Sequence, residues 1–343
     1  MSLQRALLVK ELGKPVELVH DHPVPLPGPG QVQVQVSVAG LNPHDQRVRD
    51  LGQYISPPTV LGNDVVGKVT KLGAGVTEFA VGDRIAYQAQ FTREQSQTGL
   101  QEYAVADNIA STGIPSSISD DQAATLPSNI FAPLVAIFDT FEIPPPWAPE
   151  SKSFDYNGAT ILIIGGGTNC GKFAVQLAKL AGIGRIVAVG GPVDELLSYG
   201  ATHVLDRHGG YDSVLSRVKE AVGDDLLYAC DTINPAQDQT LGLDALSNSK
   251  KGILATLLPR GSTDDARISK KEAGFVWHKV IGSSHAKPAL AVDFWKRLPG
   301  YLEQGQITPL QFTAKQGLEA IHVNEVLDAY RDGKSVTRLH VHI

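Results

Sequence analysis

The stretch from Ala159 to Gly182, ATILIIGGGTNCGKFAVQLAKLAG, constrains this chain more than any other. Its apolar run, residues 159–164, has the unbroken hydrophobicity of a strand covered on both faces. Seven residues follow, Gly165-Gly166-Gly167-Thr168-Asn169-Cys170-Gly171. The next segment places Ala174, Leu177, Ala178 and Ala181 on one helical face. Strand, glycine turn and helix in this order form the start of a βαβ unit. The glycines let the backbone turn tightly and approach a pyrophosphate, and the helix start offers N–H groups and the positive end of its dipole. A tight turn that binds nothing is the alternative. Downstream, RIVAVGG, DELLSYG, THVLD, YDSVLSRVKEAVG, LLYACDTI and KKGILATLLP alternate strand and helix patterns. That alternation predicts a doubly wound parallel sheet with right-handed crossovers.

The second strand of such a unit discriminates between nucleotides. A carboxylate at its end takes a ribose 2′-hydroxyl. This strand ends Val189-Gly190-Gly191-Pro192, with Asp194 only further on. The missing carboxylate permits a 2′-phosphate, so the expected cofactor is NADPH. Arg207, in VLDRH, is the nearest candidate cation; the other reading makes it a solvated surface arginine. Gly167, Thr168, Asn169, Cys170 and Gly171 are the expected pyrophosphate contacts, with Gly191 at the end of the second strand. Thr256 and Leu257 end the fifth strand, where the nicotinamide ribose belongs. Asp231-Thr232 ends the fourth at the same edge, where turn capping explains it equally.

Residues 1 to about 110 have a different character. GQVQVQVSVAG alternates with period two, and VVGKVTKLG, DRIAYQ and LQEYAVA are further short strands separated by turn residues. They suggest a partly open β-barrel. Ser119 is a candidate N-cap for a helix over QAATLPSNIFAPLVAIFDTF, and residues 143–158 read as a linker. The tail reads helix, strand, helix, strand and is expected to rejoin the first part. At 343 residues the chain suits two domains. Its net charge of −6, with signs interspersed, argues against a nucleic-acid or anionic-membrane partner. Two cysteines exclude a disulfide framework and a four-cysteine zinc site. The N-terminus lacks a secretory apolar stretch and no window spans a membrane, so the expected compartment is the cytoplasm.

A set of short motifs runs through the chain: Gly40-Leu41-Asn42-Pro43-His44-Asp45, Leu61-Gly62-Asn63-Asp64, Gly67-Lys68-Val69, Val81-Gly82-Asp83-Arg84 and Ala123-Ala124-Thr125-Leu126-Pro127. With the glycine turn, the set resembles the medium-chain dehydrogenase/reductase superfamily along essentially the whole chain. Its zinc-free branch, quinone oxidoreductases and fungal trans-acting enoyl reductases, is the part it looks like. The resemblance implies an α/β protein with a GroES-like catalytic domain from residues 1–128 and 292–343. It implies a Rossmann NADP-binding domain over 129–291. Zinc-dependent members carry a Cys near residues 40–45 and a His-Glu pair after Leu-Gly. This chain has Asn42 and Asn63-Asp64, which do not replace a thiolate and an imidazole. No catalytic metal is expected. The pairs His20/His22 and His340/His342 read as surface histidines.

Without a Lewis acid, a C=C bond conjugated to a carbonyl is an easier target than a plain ketone, because the charge left after hydride addition spreads into an enolate. The resemblance makes Tyr54 a candidate donor to that enolate, or a loop aromatic over the pocket mouth. Asn42 and Asp45 match the loop near the nicotinamide, or only shape it. Arg47 and Arg338 match basic cofactor contacts, or lie on solvated faces. Phe131, Trp277 and His278 are candidate walls of an apolar pocket, the first two equally plain core. The expected activity is NADPH-dependent reduction of an activated alkene or a quinone, with a small apolar substrate. A zinc-independent carbonyl reductase and a non-catalytic nucleotide-binding protein are the alternatives. GFVWHKVIGSS resembles the strand by which such proteins form homodimers.

Overall fold

The computed structural model describes residues 2–91, 93–260 and 265–343. The chain divides into two compact units. One comprises residues 1–128, 287–305 and 309–343; the other comprises 129–286 and 306–308. The return to the first unit therefore begins at Lys287, earlier than the sequence boundary at 292. The reason is local: Pro288–Glu303 is one α-helix, and residue 292 lies inside it.

The second unit contains a six-stranded parallel sheet. Its spatial order is His203–Leu205, Arg185–Val189, Thr160–Ile164, Tyr228–Asp231, Gly252–Thr256 and Phe275–Lys279. In chain order this reads third, second, first, fourth, fifth, sixth. The order reverses beside Thr160–Ile164, so a crevice opens at the carboxyl ends of that strand and of Tyr228–Asp231. Leu162, Ile164, Val187, Val189, Ala229 and Leu254 from the sheet pack with Val214, Val218 and Val222 of the Gly210–Val222 helix. Burial on both faces explains why the first strand reads as a continuous apolar run.

The first unit holds two sheets. A seven-stranded sheet is built around Gln31–Gly40, which pairs antiparallel with Asp64–Leu72, Tyr103–Asp107 and Leu339–His342. A three-stranded sheet joins Glu17–Pro23, Leu3–Val9 and Thr59–Val60. The period-two alternation of Gln31–Gly40 predicts one wet face, yet only Gln35 is exposed. Its sheet partners lie beside it, not over it; the polar face is closed by other segments, where Gln33 Nε2 donates to the Pro25 carbonyl at 2.7 Å and Ser37 Oγ to Asp120 Oδ2 at 2.6 Å.

Ser119 caps a helix as expected, in a reciprocal capping box with Gln122. The single helix expected after it is broken into Asp120–Ala124 and Pro127–Val135. Pro127 has no N–H to donate and pushes Leu126 away from helical geometry, so the first helix stops before it.

Candidate functional site

In the second unit, Thr160–Ile164 ends at Gly165, whose φ of +83° a side chain would strain. Gly165 and Gly166 N–H both donate to the Val189 carbonyl, 3.1 Å in each case, which ties the turn to the second strand. A Cβ on Gly167 would lie 2.8 Å from Gly191 Cα. The turn therefore depends on two glycine backbones packing directly together. Thr168 is the N-cap of the Asn169–Ala181 helix, and its Oγ1 accepts the Gly171 N–H at 2.9 Å. The same hydroxyl reaches Thr232 Oγ1 at 2.8 Å, and Thr232 in turn donates to the carbonyl of Ile164 or Gly165. Two threonines thus bridge the crevice floor at the point where strand order reverses. Thr232 carries a role that the sequence left open.

Gly190 and Gly191, with φ of +74° and +109°, carry the chain away from the second strand. The aliphatic stem of Arg207 lies over Gly190, where an added Cβ would come within 3.0 Å of Arg207 Cδ. Arg217 Nη1 donates to the carbonyls of Asp206 and His208, at 2.8 and 2.7 Å, and so holds the Arg207 loop. Arg207 itself is exposed and has no ion pair among the described residues. A capped helix start and a Cβ-free turn are the features with which such a fold takes a dinucleotide pyrophosphate.

Asp231 is almost completely buried. Burial pushes its carboxyl up, although it accepts from Ile233 N, Asn234 N and Asn234 Nδ2. It shapes the turn after its strand. The Leu257 N–H donates to the Asp231 carbonyl at 2.9 Å, and the Thr256 side chain is buried. The Thr256 carbonyl accepts the Val280 N–H at 2.9 Å, so the strand end is tied to both neighbours. Burial also pushes the Cys230 thiol up, as expected of an inert core cysteine. Phe131 and Trp277 prove to be buried, and His278 is exposed on the edge strand.

In the first unit the two motif loops close on one another. Asn42 is the N-cap of the Pro43–Leu51 helix, and Asp45 Oδ2 accepts the Asn42 N–H at 2.8 Å. Asp45 Oδ1 accepts the Gly62 N–H at 2.9 Å. Asp45 is 0% exposed, and burial pushes its carboxyl up despite His44 and both N–H donors. The resemblance left Asp45 either near the cofactor or only shaping the loop; both its oxygens accept backbone N–H groups inside the protein, the geometry of a loop-shaping residue.

Asp64 is equally buried. Its Oδ1 accepts the Ser128 N–H at 2.7 Å, and its Oδ2 accepts from Asn42 Nδ2 at 2.8 Å and from Arg338 Nη2. Burial alone would raise its carboxyl; Arg338, Ser128 and Asn42 outweigh this and hold it below the usual carboxylate range. Arg338 is 2% exposed, and its Nη1 donates to the Thr125 carbonyl at 3.1 Å. Gly40 lets the guanidinium pass, because a Cβ there would meet Nη2 at 2.5 Å. Arg338 was expected to contact the cofactor or to lie on a solvated face. It lies on no solvated face: it is buried as the counter-ion of Asp64.

The histidine pair at the C-terminus is also corrected. His340 is buried and stacked on Phe312 with centroids 4.8 Å apart. His340 Nδ1 and His342 Nε2 both lie 3.0 Å from Asp121 Oδ1. Among the described residues no group of three or more His, Cys, Asp and Glu side chains could hold a metal ion.

Arg47 is half-buried with no ion pair among the described residues. Tyr54 is 69% exposed, adopts φ +76° and stacks on Phe91 at 6.3 Å and 11°. A non-glycine residue held in left-handed geometry is strained, a feature that clusters at functional sites. Tyr54, Ile55, Pro57, Pro58, Phe91 and Arg93 line an open groove of about 690 Å³. The sequence gave no reason to single out Phe91.

The chain is similar to known proteins on both counts. Residues 28–126 match the alcohol dehydrogenase GroES-like domain. The trans-enoyl reductase resD of Aspergillus sclerotiorum is 31% identical over 325 residues, covering 88% of this chain and 89% of the relative. The trans-enoyl reductase himH of Aspergillus japonicus is 28% identical over 295 residues, covering 78% and 82%. Among solved structures, an alcohol dehydrogenase superfamily protein from Novosphingobium aromaticivorans superposes with a TM-score of 0.79 at 23% identity, covering 99% of each chain. The CurK enoyl reductase superposes with a TM-score of 0.76 at 18% identity, again over 99% of each. The chain belongs to the medium-chain dehydrogenase/reductase family, and within it to the enoyl-reductase type. It is an oxidoreductase whose fold takes a nicotinamide cofactor and a small substrate.

Proposed function

We propose that the protein is an NADPH-dependent, zinc-independent reductase of C=C bonds conjugated to a carbonyl, with quinones as further acceptors. The observation that carries this reading is the closure of the two loops at the positions where zinc-dependent relatives hold the metal. Asp64 is saturated by Ser128, Asn42 and Arg338, and Asn42 spends its amide on Asp64. These residues do not fit a metal: an arginine already supplies the positive charge that zinc would bring, and amides are poor zinc ligands.

The cofactor, when bound, supplies hydride to the alkene β-carbon. Gly167, Thr168, Asn169, Cys170 and Gly171 hold the pyrophosphate against the helix start. Gly191 leaves room for the adenosine ribose, and Arg207 takes the 2′-phosphate. Thr256 and Leu257 border the nicotinamide ribose, and Arg47 offers an uncommitted cation to a phosphate. Asn42, fixed by Asp64, positions the catalytic loop. Tyr54 donates a hydrogen bond to the oxygen on which enolate charge develops, and the groove beside it receives the apolar chain. The exposed edge strand Phe275–Lys279 is proposed to pair two copies in a homodimer.

The test is NADPH oxidation by chelator-treated protein with an enone, an alkenal, a quinone and a saturated aldehyde. Turnover of the first three and not the aldehyde is expected. Reduction of the aldehyde, or loss of activity on metal removal, overturns the reading.

A further inference from the structure

Conjugate reduction needs two hydrogens, and the reading above accounts for hydride and enolate oxygen but not for the proton that ends on the α-carbon. We propose that His44 delivers it; this inference rests on that reading. The argument begins with Asn63. Its Nδ2 donates to the Ala89 carbonyl at 2.7 Å, which fixes the orientation of the amide. Oδ1 therefore faces His44 Nε2, 3.0 Å away. A carbonyl oxygen only accepts, so Nε2 must carry hydrogen in the neutral ring as well as in the charged one. The nitrogen left to face a substrate is then Nδ1, which has no hydrogen-bond partner among the described residues.

The ring is held on two further sides. Pro43 and the Asn42 cap set the helix start that carries it, and Phe91 meets its face edge-on with centroids 6.0 Å apart. Phe91 also stacks on Tyr54, so His44 and Tyr54 flank one aromatic side chain at the groove. Its side chain is 26% exposed, enough to regain a proton from water. The charged groups facing it are few. Asp45 Oδ2 lies 3.8 Å from Nε2, too far to bond. Asp64 lies behind Asp45, neutralised by Arg338, and Arg93 lies beside Phe91 on the groove wall.

The step balances. The alkene π bond breaks as hydride from the nicotinamide bonds to the β-carbon, and the electron pair passes to the enolate. The α-carbon then takes the proton from Nδ1, leaving a neutral imidazole still bonded to Asn63 through Nε2–H. Solvent restores the lost proton. His44 is thus a catalytic residue and Asn63 a positioning residue, which sets which nitrogen works.

The test combines activity with spectroscopy on the NADPH-loaded protein. His44→Gln is expected to lower kcat by about 10²–10³-fold with KM little changed. Wild-type kcat should fall as pH rises through one ionisation, and H44Q should lack that ionisation. With an α-methyl enone in D₂O, wild type should deuterate one face of the α-carbon and H44Q both. Nitrogen-15 spectra of the wild-type protein should show His44 as the Nε2–H tautomer, and Asn63→Leu should release that preference. An Nδ1–H tautomer in wild type overturns the proposal, even if H44Q does not fold. So does an H44Q enzyme with unaltered kcat, pH profile and deuterium facial selectivity. A wild-type protein that reduces no conjugated alkene overturns the reductase reading itself, and the role of His44 with it.

Discussion

The buried pair between Asp64 and Arg338 makes the sharpest prediction about stability. Asp64→Asn keeps the shape of the side chain and removes its charge. The carboxylate accepts from three donors, the Ser128 N–H, Asn42 Nδ2 and Arg338 Nη2. An asparagine has one oxygen, so its NH₂ must face at least one of those donors. The guanidinium, 1% exposed at its side chain, loses its only ion-pair partner among the described residues. Removing one member of a buried pair costs about 3–5 kcal/mol. With a denaturant slope near 2 kcal/mol per molar, the urea midpoint of this unit should fall by roughly 1.5–2.5 M. Arg338→Met should cost a similar amount. The double variant should cost less than the sum, since it leaves no bare charge, with a coupling of about 2–3 kcal/mol. The pair also has a pH signature. Its folded carboxyl is held below the usual range, so its stabilisation is present above the unfolded carboxyl's value, near 3.9, and is lost as pH falls through the folded one. The unfolding free energy of wild type should therefore drop in acid more steeply than that of D64N. A loss below about 1 kcal/mol for D64N, or strict additivity in the double variant, would refute the reasoning.

Three further substitutions probe the second unit. Arg207→Ala should weaken NADPH binding about tenfold, the value of one charge-assisted hydrogen bond, and leave NADH binding unchanged; equal losses for both nucleotides in calorimetry would count against a 2′-phosphate contact. Gly167→Ala forces a Cβ to within 2.8 Å of Gly191 Cα and should cost about 1–3 kcal/mol together with cofactor affinity. Gly113→Ala, where nothing lies within 4 Å, serves as its control in thermal unfolding. Thr168→Ala removes the cap that accepts the Gly171 N–H and the bridge to Thr232. It should cost about 1 kcal/mol, largely recovered in Thr168→Ser, by denaturant titration.

The nucleotide-type half of the fold was legible because its signals are local. An unbroken apolar strand, a glycine turn and a helix with one apolar face lie within 24 consecutive residues. The alternation after them fixes a parallel sheet almost by itself. What the sequence hid were contacts across long separations. Arg338 and Asp64 are 274 residues apart, and nothing near either one announces that they meet. The same holds for Asp121 with His340 and His342, where the i, i+2 spacing showed a shared strand face but not that an acidic helix start lies against it. Two misreadings were avoidable. Pro127 stood in plain view in a segment read as one helix. Polar residues alternating along Gln31–Gly40 implied a wet face only if no other segment lay over it, and the Pro25 carbonyl and Asp120 meet Gln33 and Ser37 there.

The loop Leu61-Gly62-Asn63-Asp64 keeps a charge pair at the position where zinc-dependent relatives hold a metal. A zinc site gathers anionic ligands around one cation. Here the anion at the end of the loop, Asp64, is retained, and the cation is Arg338, brought by the C-terminal strand pairing of Leu339–His342 with Gln31–Gly40. The guanidinium satisfies the carboxylate through fixed hydrogen bonds and, unlike a metal, offers no vacant coordination position to a substrate oxygen. On the proposed zinc-independent reading, whatever activates the carbonyl comes from hydrogen-bond donors on the groove side of the loop. That requirement favours a substrate whose negative charge is already delocalised. On the same reading the donors are the Tyr54 hydroxyl and His44 Nδ1, whose rings both pack against Phe91. On that reading the closed pair fixes the two loops, and the chemistry falls to side chains beside the groove.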